Sequence, residues 1–337
     1  MSSAVARIAY RYGLLVVLVG LLIFFSTTKP RFREWDNALI IFQSVSIVAI
    51  VALGVTVSMA AGGFDLSVGA NVSFVVMVTA LVMIRYDLSG AAAIIAGLLA
   101  GLLVAAVNSV LIVVARVPDL VATLGTLFIF QGLALIITSG KSVSVGMPIG
   151  DGEVATGQFA DWYRELGNGK VLSIPVPVLF LVVLGLLTYV FLAHTRWGRA
   201  MYAIGGNGAA ARLAGIPVQR YRALAYVISG LLAATGGILL SARLGRGDIG
   251  AGNAYLLQAV SAALIGFAVL GANRPNALGT IVGALFIGVL FNGLTMFNVP
   301  YYAQDFIQGV LLVLTLVLTY TLSGRVSRSG VVRETRP

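Results

Sequence analysis

Long apolar runs alternate with short polar breaks along this chain, and the runs have the length of membrane crossings. A helix needs about 20 residues, with a range of roughly 17–25, to cross the hydrocarbon core of a bilayer. On that rule the pattern predicts ten spans, over about 8–28, 39–60, 66–84, 91–115, 120–138, 172–193, 223–242, 255–272, 277–294 and 301–323. The third and eighth are short, and the fifth contains Gln131. The expected fold class is all-α, a polytopic membrane protein with one transmembrane domain over 1–337. Five spans at 8–138 precede a loop at 139–171, five more follow at 172–323, and a tail runs from 324 to 337.

Loop charges orient the spans. Thr195 to Arg222 carries Arg196, Arg199, Arg212, Arg220 and Arg222 with no acid, and the tail after Gly324 is also basic. Arg7 and Arg11 precede the first span. Basic loops stay on the cytoplasmic side, so both termini are expected there, with the mixed-charge loop at 139–171 outside. Lys29, Arg31 and Arg33 are the exception, partly offset by Glu34 and Asp36. An odd number of spans per half gives the halves opposite orientations, the plan of transporters with inverted repeats. The halves share no convincing identity, so the symmetry is topological only. The apolar run after Arg11 ends in "STTKPRF" without an A-x-A cleavage site, and is expected to be retained as a signal anchor.

Composition agrees with a bilayer setting. Apolar residues make up 59% and charged residues 10% of the chain, with mean hydropathy +1.00, against about 25% charged in soluble domains. The net charge of +10 sits at the ends of apolar runs, which argues against nucleic acid. With no cysteine and one histidine, His194, thiolate chemistry and a His-rich metal site drop out. "SGKS" at Ser139 fails as a phosphate loop because Leu135 stands where Gly is needed, and "GRGDIG" at Gly245 lacks the strand and helix of a dinucleotide site. No catalytic constellation is present, so a non-enzyme is expected. Gly97 with Gly101, and Gly279 with Gly283, have the G-x-x-x-G spacing of closely packed membrane helices.

Few polar residues fall within or near spans. Asn108, Gln131, Gln258, Asn292, Gln304, Asp305 and Gln308 stand out. They read either as interhelical hydrogen-bond partners or as a pathway for a neutral polyol, with the first five as pathway candidates; Asp305 also reads as a first-turn acid. Asp65, within "GGFDLSVG", is an acid between two apolar runs. It reads as a helix cap, with Gly62–Gly63 making a turn, Asp65 accepting amide hydrogen bonds at the start of the third span and Ser67 assisting, as a gate or coupling element near the cytoplasmic side, or as a substrate contact. In Thr195 to Gly230, Ala209, Ala210, Ala211, Leu213 and Ala214 predict a short helix that Gly215 stops and Pro217 keeps from continuing. That segment reads equally as a surface for a partner protein and as an interfacial turn.

Several stretches resemble the permease subunits of bacterial ABC sugar importers of the ribose/xylose/galactose class. "MAAGGFDLSVGA" resembles a G-G-x-D-L-S-V-G motif carried here by Gly62, Gly63, Asp65, Leu66, Ser67 and Gly69. "VPDLVATLGTLF" and "GTIVGALFIGVLFNGL" are similar to two further segments, and "TRWGRAMYAIGGNGAAARLAGIPV" is the most specific match. The resemblance implies a fold like that of type II ABC importers. It also implies import of a sugar or polyol across the inner membrane. Ala209, Ala210, Ala211, Leu213, Gly215, Ile216 and Pro217 would form a coupling helix against a separate ATP-binding cassette subunit. That partner would hold ATP and Mg and hydrolyse ATP, leaving this chain without a cofactor. A periplasmic sugar-binding protein and a second permease, identical or paralogous, complete the implied assembly in the lipid bilayer. The chain departs from the pattern at Asp119-Leu120 and at "GFAVLGANRPNALG", where Arg274-Pro275 stands in place of a Gly-rich turn. An ion-coupled secondary transporter is the runner-up, which would want acids at midplane; a membrane enzyme would want clustered catalytic groups.

Overall fold

The computed structural model describes residues 3–150, 153–268, 274–300, 302–304, 306–310 and 313. The chain before the long loop forms α1 (Ser3–Thr28), α2 (Trp35–Ala60), α3 (Val68–Ala80), α4 (Gly90–Ser109) and α5 (Asp119–Ile137). π-helical turns, Leu81–Arg85 and Val110–Val114, extend α3 and α4. After the loop come α7 (Val176–His194), α8 (Arg196–Leu213), α9 (Val218–Leu244), α10 (Ala251–Ala268) and α11 (Ala277–Met296).

Among the described residues, seven helices are long and apolar enough to cross a bilayer: α2, extended α3, extended α4, α5, α7, α9 and α11. Two shorter apolar stretches, Gly13–Thr28 and Ala251–Phe267, fall at the first and eighth predicted spans. The tenth predicted span lies mostly outside the described residues, as do Asp305 and the tail; residues 302–304 and 306–310 are helical.

The centre of the bundle is α2 and α9, which pack against each other; α9 also packs against α3 and α4, and α2 against α10 and α11. α2 is buried almost without interruption from Val45 to Ala60, so its apolar surface faces protein on all sides. Small residues permit the closest crossings. At Gly101 of α4 an added Cβ would collide with the Ala234 side chain of α9, and at Gly230 of α9 it would collide with Ala105 of α4. Asn71 of α3 uses that proximity, donating to the carbonyl oxygens of Gly101 at 3.4 Å and Gly230 at 3.2 Å. Gly279 and Gly283 of α11 press on Gly266 and Ala262 of α10. Both G-x-x-x-G pairs thus serve close helix packing.

The loop predicted at 139–171 is ordered over its described residues. It holds β1 (Pro148–Gly150) paired antiparallel with β2 (Glu153–Val154), and α6 (Asp161–Asn168). β3 (Lys170–Val171) pairs with β4 (Ile174–Pro175). This hairpin corrects the predicted start of the sixth span. Leu172 and Ser173 both have positive φ, 49° and 66°, as a two-residue hairpin turn with the strand twist requires. The apolar letters of "VLSIP" therefore belong to a hairpin, and the helix starts at Val176. α6 seats on the end of α9: Tyr163 is fully buried with its hydroxyl against Ser241 Oγ, and Asn168 donates to the Ala242 carbonyl at 3.1 Å. One end of the bundle therefore carries α6, and the opposite end carries α8.

Candidate functional site

Three sites concentrate the polar chemistry. The first is built on the Gly62–Ser67 connection at the α8 end. α2 closes with the Gly62 amide on the Met59 carbonyl at 3.0 Å and the Gly63 amide on the Ser58 carbonyl at 2.9 Å. Gly62 takes φ +74° in this turn, a conformation glycine reaches without a Cβ penalty. The chain then doubles back into the bundle rather than skirting its end. Asp65 is 2% exposed. One carboxylate oxygen accepts from the Ser67 amide at 2.9 Å and the Ser67 hydroxyl at 2.6 Å; the other accepts from the Ser229 hydroxyl at 2.8 Å. Asn108 of α4 donates to Ser67 Oγ at 2.7 Å. Ser229 stands three turns into α9, about 16 Å from its first residue at 1.5 Å per residue. Irregular backbone at that depth is tolerated where protein covers it, and α2, α4 and α9 do so here. Ser67 occupies the N-cap position of α3 without a side-chain cap bond. Asp65 therefore ties the start of α3 to α9 rather than capping its first turn by itself.

Beside this junction lies a cavity of about 710 Å³, lined by Gly62, Gly63, Phe64, Arg116, Asp119 and Arg222 among others. Arg222 of α9 pairs with both carboxylate oxygens of Asp119 at the start of α5. An added Cβ at Gly63 would press on that carboxylate and on the Tyr226 hydroxyl, so glycine lets the turn approach the ion pair.

The second site is α8. Its backbone breaks at Asn207, with φ −157° and ψ 96°, so a longer helix precedes a short one. Asn207 Oδ1 accepts from the Ala209 amide at 3.1 Å and the Ala210 amide at 3.0 Å, capping the short helix. At its other end Gly215 takes φ +81°. The Gly215 amide bonds the Arg212 carbonyl and the Ile216 amide bonds the Ala211 carbonyl, both at 3.0 Å, the paired closure of a Schellman motif. Buried Ala211, Ile204 and Val218 hold the piece to the bundle, with Ile216 packed against them. Leu213 is 91% exposed. Arg274 and Pro275, the residues that depart from the family pattern, lie against this element. Arg274 sits 4.6 Å from the centre of the Tyr202 ring, and the Tyr202 hydroxyl donates to the Pro275 carbonyl at 2.7 Å. Burial raises the Tyr202 pKa above its ordinary value, opposed by Arg274, so the phenol stays a donor.

The third site is a cavity of about 450 Å³ in the half of the bundle nearer α6, between α2, α10, α11 and the end of α9. Its polar lining is Ser44, Arg243, Tyr255, Gln258, Asn292 and Thr295. Arg243 donates to Ser44 Oγ at 3.1 Å, and Asn292 donates to Asn37 Oδ1 at 2.9 Å.

The family model that the sequence matches, over residues 37–316, is described as the branched-chain amino acid transport system / permease component. The chain belongs to this permease family. The permease is 33% identical over 304 residues to the ribose import permease protein RbsC of Escherichia coli K12, covering 90% of this chain and 92% of that protein. It is 36% identical over 330 residues to the probable ABC transporter permease protein YphD of the same strain, covering 98% and 95%. It is 30% identical over 314 residues to the D-allose transport system permease protein AlsC, covering 93% and 92%. No solved structure was found to match it.

In this permease the five pathway candidates separate. Gln258 and Asn292 share the third site. Asn108 belongs to the Asp65 junction, Gln131 bonds Asn253 at 2.6 Å, and Gln304 bonds the Val299 carbonyl at 2.9 Å. Gln308 is buried, its Nε2 without a partner among the described residues. Reasoning from sequence missed Ser229, Arg222, Arg243 and Tyr255. Ser229 is a small polar letter in an apolar run, and Arg222 reads as one of the basic charges of the Thr195–Arg222 segment.

Proposed function

We propose that this chain is the membrane subunit of an ATP-driven importer that carries a sugar or related polyol across the inner membrane of a bacterium. The observation that supports it most is similarity along nine-tenths of the chain to permeases named for ribose and allose. In this reading the chain makes ten spans in two groups of five, with the α8 end and both termini in the cytoplasm and α6 outside, in the manner of type II importers. A cassette ATPase binds ATP and Mg and docks on Ala209 to Pro217, where the exposed Leu213 projects from a helix capped at both ends. A periplasmic binding protein delivers the solute to the α6 end, and a second permease completes the pore. ATP binding favours one arrangement of the spans and the loaded binding protein another. The solute moves because these preferences differ between states.

The capped short helix suits this role, because both caps fix it as a rigid knob on Val218 and the base of α9. Eleven residues further along α9, Ser229 meets Asp65, so movement of the knob reaches the α2–α3 connection through one helix. The test is uptake by whole cells. Deleting the gene should abolish accumulation of one labelled pentose, hexose or polyol and spare labelled leucine. Loss of leucine uptake with all sugars unaffected contradicts the sugar reading and favours the amino acids in the family description.

A further inference from the structure

The cavity between α2, α9, α10 and α11 holds hydrogen-bonding capacity that the fold does not use. The Gln258 amide and the Tyr255 hydroxyl, both in the lining, make no hydrogen bond within the described residues. Arg243 commits one N–H to Ser44 and keeps the rest of its five donors in the same space. These donors and acceptors converge on one cavity with an otherwise apolar lining, the arrangement of a small-molecule site. Its volume of about 450 Å³ lies within the roughly 300–1,000 Å³ of small-molecule sites.

The lining also selects the kind of guest. The Gln258 carbonyl oxygen and the Tyr255 hydroxyl can accept, while Arg243 and the Gln258 amide nitrogen offer donors that need acceptors. A hydroxyl group does both. An amino acid would bring an ammonium group, and the described lining contains no carboxylate to receive it. Phe291, Val45 and Ile287 supply the apolar floor against which C–H faces of a sugar ring can rest. An arginine at the end of a helix is often only a cation favoured by the helix dipole. Here its guanidinium turns into the bundle to reach Ser44.

We propose that this cavity receives the transported solute on its outer side, and that Arg243, Tyr255 and Gln258 recognise a neutral, hydroxyl-rich molecule of monosaccharide size. This rests on the transport reading above and adds the place of binding and the side chains that recognise the solute. The chain has no cysteine, so Ala254→Cys, at an exposed position in the lining, gives a single reactive group. In proteoliposomes holding the assembled importer, a membrane-impermeant maleimide added outside should label it. The imported pentose or hexose should slow that labelling, and leucine should not. Gln258→Leu should raise the sugar concentration needed for half-protection roughly fivefold, the worth of about one hydrogen bond. Tyr255→Phe, which removes one hydroxyl, should shift it in the same direction if Gln258→Leu does not assemble. Protection by leucine overturns the proposed ligand class. Uptake of a sugar by the same vesicles without protection overturns the cavity as its site. Absence of any sugar uptake overturns the transport reading and this proposal with it.

Discussion

Ser229 donates its hydroxyl to Asp65 across 2.8 Å, joining the connection between α2 and α3 to the third turn of α9. The bond crosses from the half of the chain before the long loop to the half after it. With Ser67 and Asn108 it makes a four-residue polar junction in an apolar bundle. Replacing Asp65 by Ala leaves three donors around one missing acceptor, at about 1–3 kcal/mol for each buried group left unpaired. Asp65→Ala should therefore lower the unfolding temperature in detergent more than Ser229→Ala, which removes one donor. Asp65→Asn keeps one acceptor oxygen and should fall between them. Equal melting of Asp65→Ala and wild type excludes the junction as a structural tie.

The ion pair of Arg222 and Asp119 joins the same two halves at the α8 end. Asp119→Arg should impair ATP-driven uptake by setting two cations against each other beside Arg116. The double exchange Asp119→Arg with Arg222→Asp restores the attraction. It should recover more activity than either single change, measured as the coupling energy of a double-mutant cycle. Additive losses contradict a working pair.

Close packing of α4 on α9 depends on Gly101. Gly101→Ala puts a methyl group into the Ala234 side chain. Overpacking of that kind should cost roughly 1–3 kcal/mol, visible as a lower thermal midpoint. Gly132→Ala on α5 has nothing within 4 Å of the new carbon and should match wild type or slightly exceed it, since alanine favours helix. If the two behave alike, the crossing is looser than described.

The short helix after Asn207 should be sensitive at both caps. Asn207→Ala removes the acceptor for two amides and should weaken that helix by about 1 kcal/mol. Gly215→Arg forces a side chain into φ +81° and should abolish stimulation of the partner's ATP hydrolysis while membrane insertion persists. Normal stimulation in Gly215→Arg removes this segment from coupling.

Much of the fold was legible because bilayer thickness fixes helix length: α2, α4, α5, α9 and α11 begin or end within a few residues of the runs that predict them. The short helix after Asn207 was also readable, because Gly215 and Pro217 are local stop signals. What could not be read depends on tertiary contact. Leu172 resembles a span residue until its hairpin partner is known. Asp65 reads as a boundary acid because nothing local shows that its chain re-enters the bundle to meet Ser229. Arg243 and Asn292 come from helices far apart in sequence, so their shared cavity exists only in the packed state. Asp119 and Arg274 look like departures from a pattern until Arg222 and Tyr202 appear beside them.

The central claim is that partner-driven ATP hydrolysis moves a sugar through this chain. Proteoliposomes containing the permease, its cassette ATPase and the sugar-loaded binding protein test it most directly. Labelled sugar should accumulate against its gradient only when ATP and Mg are supplied on the side of the α8 end. Uptake that proceeds without ATP, or that follows an imposed proton or sodium gradient instead, contradicts the account.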